Sequence, residues 1–326
     1  MSDRDLDRLV DVIAARVKER LGGGSGGAEA GAGHAHHPHD PSDTHKPCSA
    51  DKGNCIGCGW SVRRRPKDVA EIVQLGASRV GSAANVSAQG EVPADLARYI
   101  DHTLLKHDAT RDEVQKLCAE ARKHNFATVC VNLANVRMAA TLLQGCPVRV
   151  CAVVGFPLGA TTGAAKAFET REAVRNGASE IDMVINVGAL KSRDYRTVLD
   201  DITRVVEAAG TNAVKVILET ASLTDHEKVI ACALSKVSGA AFVKTSTGFG
   251  SGGATAGDVA LMKAVVGDEM EVKASGGVRT IDDALAMIKA GATRIGASAS
   301  VSIVTGKPAE SGAAKKTGVG GRRSLY

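Results

Sequence analysis

From residue 94 onward the chain alternates short apolar, β-branched runs with stretches of helical periodicity, and the alternation counts to eight. The apolar runs fall at 99–104, 127–131, 148–155, 180–186, 213–219, 241–245, 271–274 and 294–296. Helical segments are expected at 110–124, 133–144, 162–176, 193–209, 224–237, 255–266 and 280–290, with a shorter one after 298. Parallel strands joined by helical crossovers are covered on both faces, so they read as nearly continuous apolar runs. Eight such units predict an α/β fold, a closed (β/α)8 TIM barrel. An open doubly wound sheet is the competing arrangement, but no Gly-x-Gly-x-x-Gly turn follows the first strand.

In a parallel barrel chemistry gathers at the carboxyl ends of the strands. On the eight-strand count the polar residues converge there: Asp101 and Thr103 on strand one, Asp182 on four, Lys215 on five, Lys244 on six and Lys273 on seven. Lys244 lies in Ala241-Phe-Val-Lys-Thr-Ser-Thr-Gly248 and Lys273 in its echo, Glu271-Val-Lys-Ala-Ser-Gly-Gly277. Burial disfavours an ammonium and a second nearby cation disfavours it further. Both lysines are therefore expected to titrate below the free value of about 10.4. A neutral amine can attack a carbonyl and form a Schiff base, whose protonated imine accepts the electrons of a breaking C–C bond. The plain alternatives are lysines that snorkel to solvent and an Asp182 that merely pairs with Lys215 or Lys244.

Two glycine turns, Ser275-Gly-Gly-Val-Arg-Thr280 and Ile295-Gly-Ala-Ser-Ala-Ser300, lead into helices. Free backbone N–H groups and helix dipoles at strands seven and eight predict a phosphate site.

Four stretches, Ile100-Asp-His-Thr-Leu-Leu-Lys106, Glu180-Ile-Asp-Met-Val-Ile-Asn186, Phe242-Val-Lys-Thr-Ser-Thr-Gly-Phe249 and Val272-Lys-Ala-Ser-Gly-Gly-Val-Arg-Thr280, closely resemble deoxyribose-phosphate aldolase. The resemblance runs from about Leu96 to Ser302. It implies a class I aldolase, without metal or other cofactor, that interconverts 2-deoxyribose 5-phosphate with glyceraldehyde 3-phosphate and acetaldehyde. By the family's pattern Lys244 is the Schiff-base nucleophile, and Lys273 holds down its pKa and shares in proton transfer. Asp182 relays protons with Lys273 and a water. Asp101, Thr103 and Thr247 bind substrate hydroxyls, and Gly248, Gly276, Gly277, Gly296 and Ser298 cradle the phosphate. Some members also use a C-terminal tyrosine, a role open to Tyr326. A non-catalytic barrel acting through its N-terminal region, and a metal-dependent aldolase, are the other readings. The barrel stretch lacks a grouped set of histidines, which weakens the second.

The region before the barrel divides into residues 1–21 and 22–93, ahead of a domain at 94–326. Leu6, Leu9, Val10, Ile13, Val17 and Leu21 follow the spacing of one helical face, and the helix is expected to stop at Gly22-Gly-Gly-Ser-Gly-Gly27. One loosely tethered amphipathic helix needs a partner surface. Its mixed charges favour a protein over a membrane, and helix plus linker resembles the encapsulation peptides of bacterial microcompartment cargo. A shell or cargo protein is therefore an expected partner, and the expected location is the cytoplasm, inside such a compartment. His45, Cys48, Cys55 and Cys58 have a spacing compatible with tetrahedral zinc, the three cysteines also with an iron-sulfur cluster, but the favoured reading is a His-rich linker with incidental thiols.

Composition narrows the rest. No apolar run approaches the roughly 20 residues that span a bilayer, and the acidic start lacks a secretory core. Eight irregularly spaced cysteines suggest reduced thiols. A net charge of +5 with 3% aromatic residues argues against a nucleic-acid partner. A homo-oligomer is expected.

Overall fold

The computed structural model describes residues 95–306. Expectations about residues 1–21, 22–93, His45, Cys48, Cys55, Cys58 and Tyr326 lie outside that range. Eight parallel strands close on themselves in the order of the chain. They are β1 Ile100–Leu104, β2 Thr128–Val131, β3 Arg149–Val154, β4 Glu180–Val184, β5 Ala213–Ile217, β6 Phe242–Lys244, β7 Glu271–Ser275 and β8 Arg294–Ala297. The closing pair is β1 with β8, where Asp101 lies opposite Gly296. The closed barrel replaces the doubly wound alternative.

The helices are α1 Arg111–His124, α2 Val136–Leu142, α3 Gly163–Arg175, α4 Val187–Lys191, α5 Tyr195–Ala209, α6 Asp225–Val237, α7 Ala256–Val266, α8 Ile281–Lys289 and α9 Ser300–Thr305. Five begin one residue later than the periodicity suggests, because Thr110, Thr162, Thr224, Thr255 and Thr280 are N-caps whose hydroxyls accept from the first turn. Thr110 with Glu113 and Thr224 with Glu227 make full capping boxes. The short α4, capped by Asn186, was not legible as a helix because it spans little more than one turn. The segment expected at 133–144 splits into a 3-10 turn, Leu133–Asn135, and α2. Among the described residues no helix is long and apolar enough to cross a membrane.

Strand alternation sorts the side chains into two environments. Ile100, Val129, Val131, Val150, Val154, Ile181, Met183, Val214, Val216, Val243, Val272 and Ile295 point outward and pack under the helices in one continuous core. Each such side chain contributes roughly 1.5–3 kcal/mol on burial. The intervening positions point into the barrel, and there the chain places Asp101, Glu180, Asp182, Lys215, Lys244, Lys273 and Arg294, all buried. Barrel interiors are usually filled by branched apolar side chains. This one is filled by charge.

Candidate active site

Seven buried charges can share a barrel only if each finds counter-charges, because an isolated ion in a low-dielectric interior costs far more than the fold can supply. Asp182 is the hub. Its Oδ2 lies 2.7 Å from Lys244 Nζ and 2.7 Å from Lys273 Nζ, while its Oδ1 lies 2.9 Å from Lys215 Nζ and accepts from Cys151 Sγ at 3.0 Å. Below it, Glu180 is 2.5 Å from Lys215 and 2.9 Å from Arg294. Asp101 faces Lys273 at 2.6 Å and Arg294 at 2.7 Å. The ring of Phe242 closes this floor, with Lys215 Nζ 5.7 Å and the Arg294 guanidinium 5.3 Å from its centroid.

The charges set one another's protonation. Burial alone would raise the Asp182 carboxyl, but Lys215, Lys244 and Lys273 outweigh it and hold Asp182 well below the usual carboxylate range. Asp101 and Glu180 are held down in the same way, against burial, chiefly by Arg294 and by Lys215 respectively. Lys273 corrects a sequence expectation. Burial does push its ammonium down, yet Asp101 and Asp182 reverse the balance and raise it above the ordinary lysine range. The nearby cation disfavours an ammonium less than two carboxylates favour it.

The predicted residues divide by what they touch. Lys244, Lys273, Asp182 and Asp101 come together inside the barrel. Thr103, one inward position above Asp101, is half-buried and spends its hydroxyl on the carbonyl of Asp101 at 2.8 Å. Thr247 is likewise committed: its hydroxyl donates to Glu219 Oε2 at 2.5 Å and accepts from Phe249 N at 3.0 Å. It anchors its own loop. Gly248, Gly276 and Gly277 have φ of 86°, 89° and 81°, left-handed values that a side chain would strain. Loop contact joins the first two, because a Cβ on Gly276 would lie 3.7 Å from Gly248 Cα. Gly253 backs them, with Ala254 N donating to Gly276 O at 2.9 Å. Gly296 sits lower, inside β8, where a Cβ would meet Ser275 Oγ and come within 3.0 Å of Lys273 Cε; its missing side chain makes room for Lys273. Ser298 is exposed just past β8.

Sequence reasoning missed five contributors. Glu180 and Arg294 open their strands, where a charge reads as an edge residue, and only barrel closure turns them inward. Cys130 and Cys151 are register partners on β2 and β3 and, with Leu105, Val153 and Phe156, form a small apolar wall in the interior. Glu219 closes the apolar run 213–219 and reads as the end of a strand. Its signal was a lone acid between Leu218 and Thr220, both buried.

A closed parallel barrel with a buried lysine at the carboxyl end of β6, a cationic lysine beside it on β7 and a rim of left-handed glycines defines a carbonyl-chemistry lyase of the aldolase class. Residues 96–306 match the family described as DeoC/LacD family aldolase. The chain belongs to that family. It is similar to the deoxyribose-phosphate aldolase of Lysinibacillus sphaericus, at 58% identity over 218 residues, covering 67% of this chain and 98% of the relative. It is also similar to that of Streptococcus gordonii, at 60% identity over 214 residues, covering 66% and 97%. Among solved structures, the tetrameric deoxyribose phosphate aldolase of Aeropyrum pernix aligns with a TM-score of 0.61 at 32% identity, covering 72% of this chain and 96% of that one.

Proposed function

We propose that the chain reversibly cleaves 2-deoxy-D-ribose 5-phosphate to D-glyceraldehyde 3-phosphate and acetaldehyde through a Schiff base on Lys244. The observation that carries this reading is a shared oxygen: Lys244 and Lys273 both lie 2.7 Å from Asp182 Oδ2. Lys273 has a second carboxylate in Asp101, and among the described residues Lys244 has none. Lys244 therefore has fewer carboxylate partners there than Lys215 or Lys273.

Lys244 Nζ adds to the C1 aldehyde of the open-chain sugar, and loss of water gives the protonated imine. A base takes the proton of the C3 hydroxyl, the C2–C3 bond breaks, and its electron pair moves into the imine. Glyceraldehyde 3-phosphate leaves and an enamine remains on Lys244. Protonation at C2 and hydrolysis then release acetaldehyde and the free amine. Asp182 and Lys273 carry the protons as general base and acid. Asp101 acts through Lys273, and Thr103 lines the mouth above it. Backbone N–H groups of Gly248, Gly276 and Gly277, with Ser298, receive the phosphate, Thr247 shapes that rim from behind, and Gly296 leaves room for Lys273.

The test is turnover. Purified protein given 2-deoxyribose 5-phosphate should yield glyceraldehyde 3-phosphate at a rate that EDTA does not change. No turnover would favour the passive-scaffold reading, and EDTA sensitivity a metal-dependent one. The chain is further proposed to work as a homo-oligomer, and residues 1–21 to dock it on a shell or cargo protein of a cytoplasmic microcompartment.

A further inference from the structure

We propose that Glu219 is a positioning residue for phosphate selection: it fixes the loop after β6 so that the Gly248 end of the anion rim faces the substrate. This rests on the phosphate reading of that rim. Glu219 follows β5 with φ 57°, a left-handed conformation that residues other than glycine rarely adopt. The residue is buried, at 9% exposure, and its carboxylate reaches the neighbouring loop. Oε2 accepts from Thr247 N at 3.2 Å and from Thr247 Oγ1 at 2.5 Å. Thr247 Oγ1 accepts in turn from Phe249 N at 3.0 Å. The other oxygen packs against Gly250, where a Cβ would lie 2.8 Å from Oε1.

One carboxylate thus sets residues 247 to 250, and hydrogen bonds to an ionised acceptor are roughly twice as strong as neutral ones. The direction of the Gly248 N–H follows from the orientation of Thr247, to which it is joined. The same loop is pinned at its far end, where Ala254 N donates to Gly276 O at 2.9 Å. Glu219 Oε1 has no hydrogen-bond partner among the described residues. A buried carboxylate with one oxygen unpaired is costly, and the strained backbone adds to that cost. Such costs are found where a structure is held for function.

The experiment compares kcat and KM for 2-deoxyribose 5-phosphate and for 2-deoxyribose in wild type, Glu219→Gln and Thr247→Val, all as the full chain. Glutamine keeps the shape but loses the charge, and Thr247→Val opens the same contact from the loop side should Glu219→Gln fold poorly. Glu219→Gln should raise KM for the phosphorylated sugar about ten-fold, with kcat within about two-fold. Its kcat/KM for the unphosphorylated sugar should stay level, so that the preference for phosphate falls about ten-fold, and Thr247→Val should lower that preference likewise. A fold-stability role predicts instead equal losses on both sugars, and that result, or an unchanged preference, overturns the inference. If wild type itself ignores the phosphate, the rim reading fails first and takes the inference with it.

Discussion

Lys215 and Lys244 stand on adjacent strands, are almost equally buried at 0% and 2% exposure, and both touch Asp182. Yet their surroundings differ. Lys215 lies 2.5 Å from Glu180, 2.9 Å from Asp182 and 3.8 Å from Asp101, and donates to Cys151 Sγ at 3.4 Å. Burial would lower its ammonium, but these neighbours, Asp182 first, raise it well above the ordinary range. Lys244 has one carboxylate oxygen and divides it with Lys273. Burial therefore does not distinguish the two lysines. The number of counter-charges does, and the proposed Schiff-base role of Lys244 rests on that difference.

Breaking the two lysines should produce opposite phenotypes. Lys244→Ala should lower kcat by at least about 10⁴-fold while leaving the thermal midpoint nearly where it was, as steady-state kinetics and a melting curve will record. Asp182→Asn takes the hub from both and should cost about 10²–10⁴-fold in rate by removing a proton carrier. It should also lose stability, because the raised ammonium groups of Lys215 and Lys273 then face a neutral amide. Lys215→Met should chiefly destabilise, by about 3–5 kcal/mol in urea unfolding, since it takes a buried counter-charge from both Glu180 and Asp182.

A smaller effect appears in the pH dependence of stability. The folded values of Asp101, Glu180 and Asp182 are depressed, so their contribution is complete above the unfolded carboxylate range near about 4 and fades as pH falls through the folded values. Lys215 and Lys273 are raised, so theirs is complete below about 10.4 and fades as pH climbs through the folded values. The melting temperature should therefore hold between these limits and drop on the acid side, with a shallower drop in Lys215→Met. Smallest of all, deletion of residues 1–33 should leave kcat/KM unchanged and abolish co-purification with a shell or partner protein; equal recovery of the truncated chain would refute the docking role.

What was legible in the sequence was whatever depended on periodicity and local order. The eight apolar runs, the helices between them, and Lys244 and Lys273 just ahead of glycine turns all follow from residues near one another in the chain. What was not legible depended on closure. Arg294 meets Asp101 across 193 residues, and Lys273 meets Asp182 across 91, so the reversal of the Lys273 shift could not be read before the barrel was closed. The same holds for Thr247, whose hydroxyl looks free for substrate until Glu219, 28 residues earlier, is brought against it.

The most direct measurement is borohydride trapping with acetaldehyde, read by peptide mass. A two-carbon adduct should appear on the peptide carrying Lys244, be absent from those carrying Lys215 and Lys273, and vanish in Lys244→Ala. An adduct that settles on Lys273, or that persists when Lys244 is gone, would contradict the division of labour between the lysines.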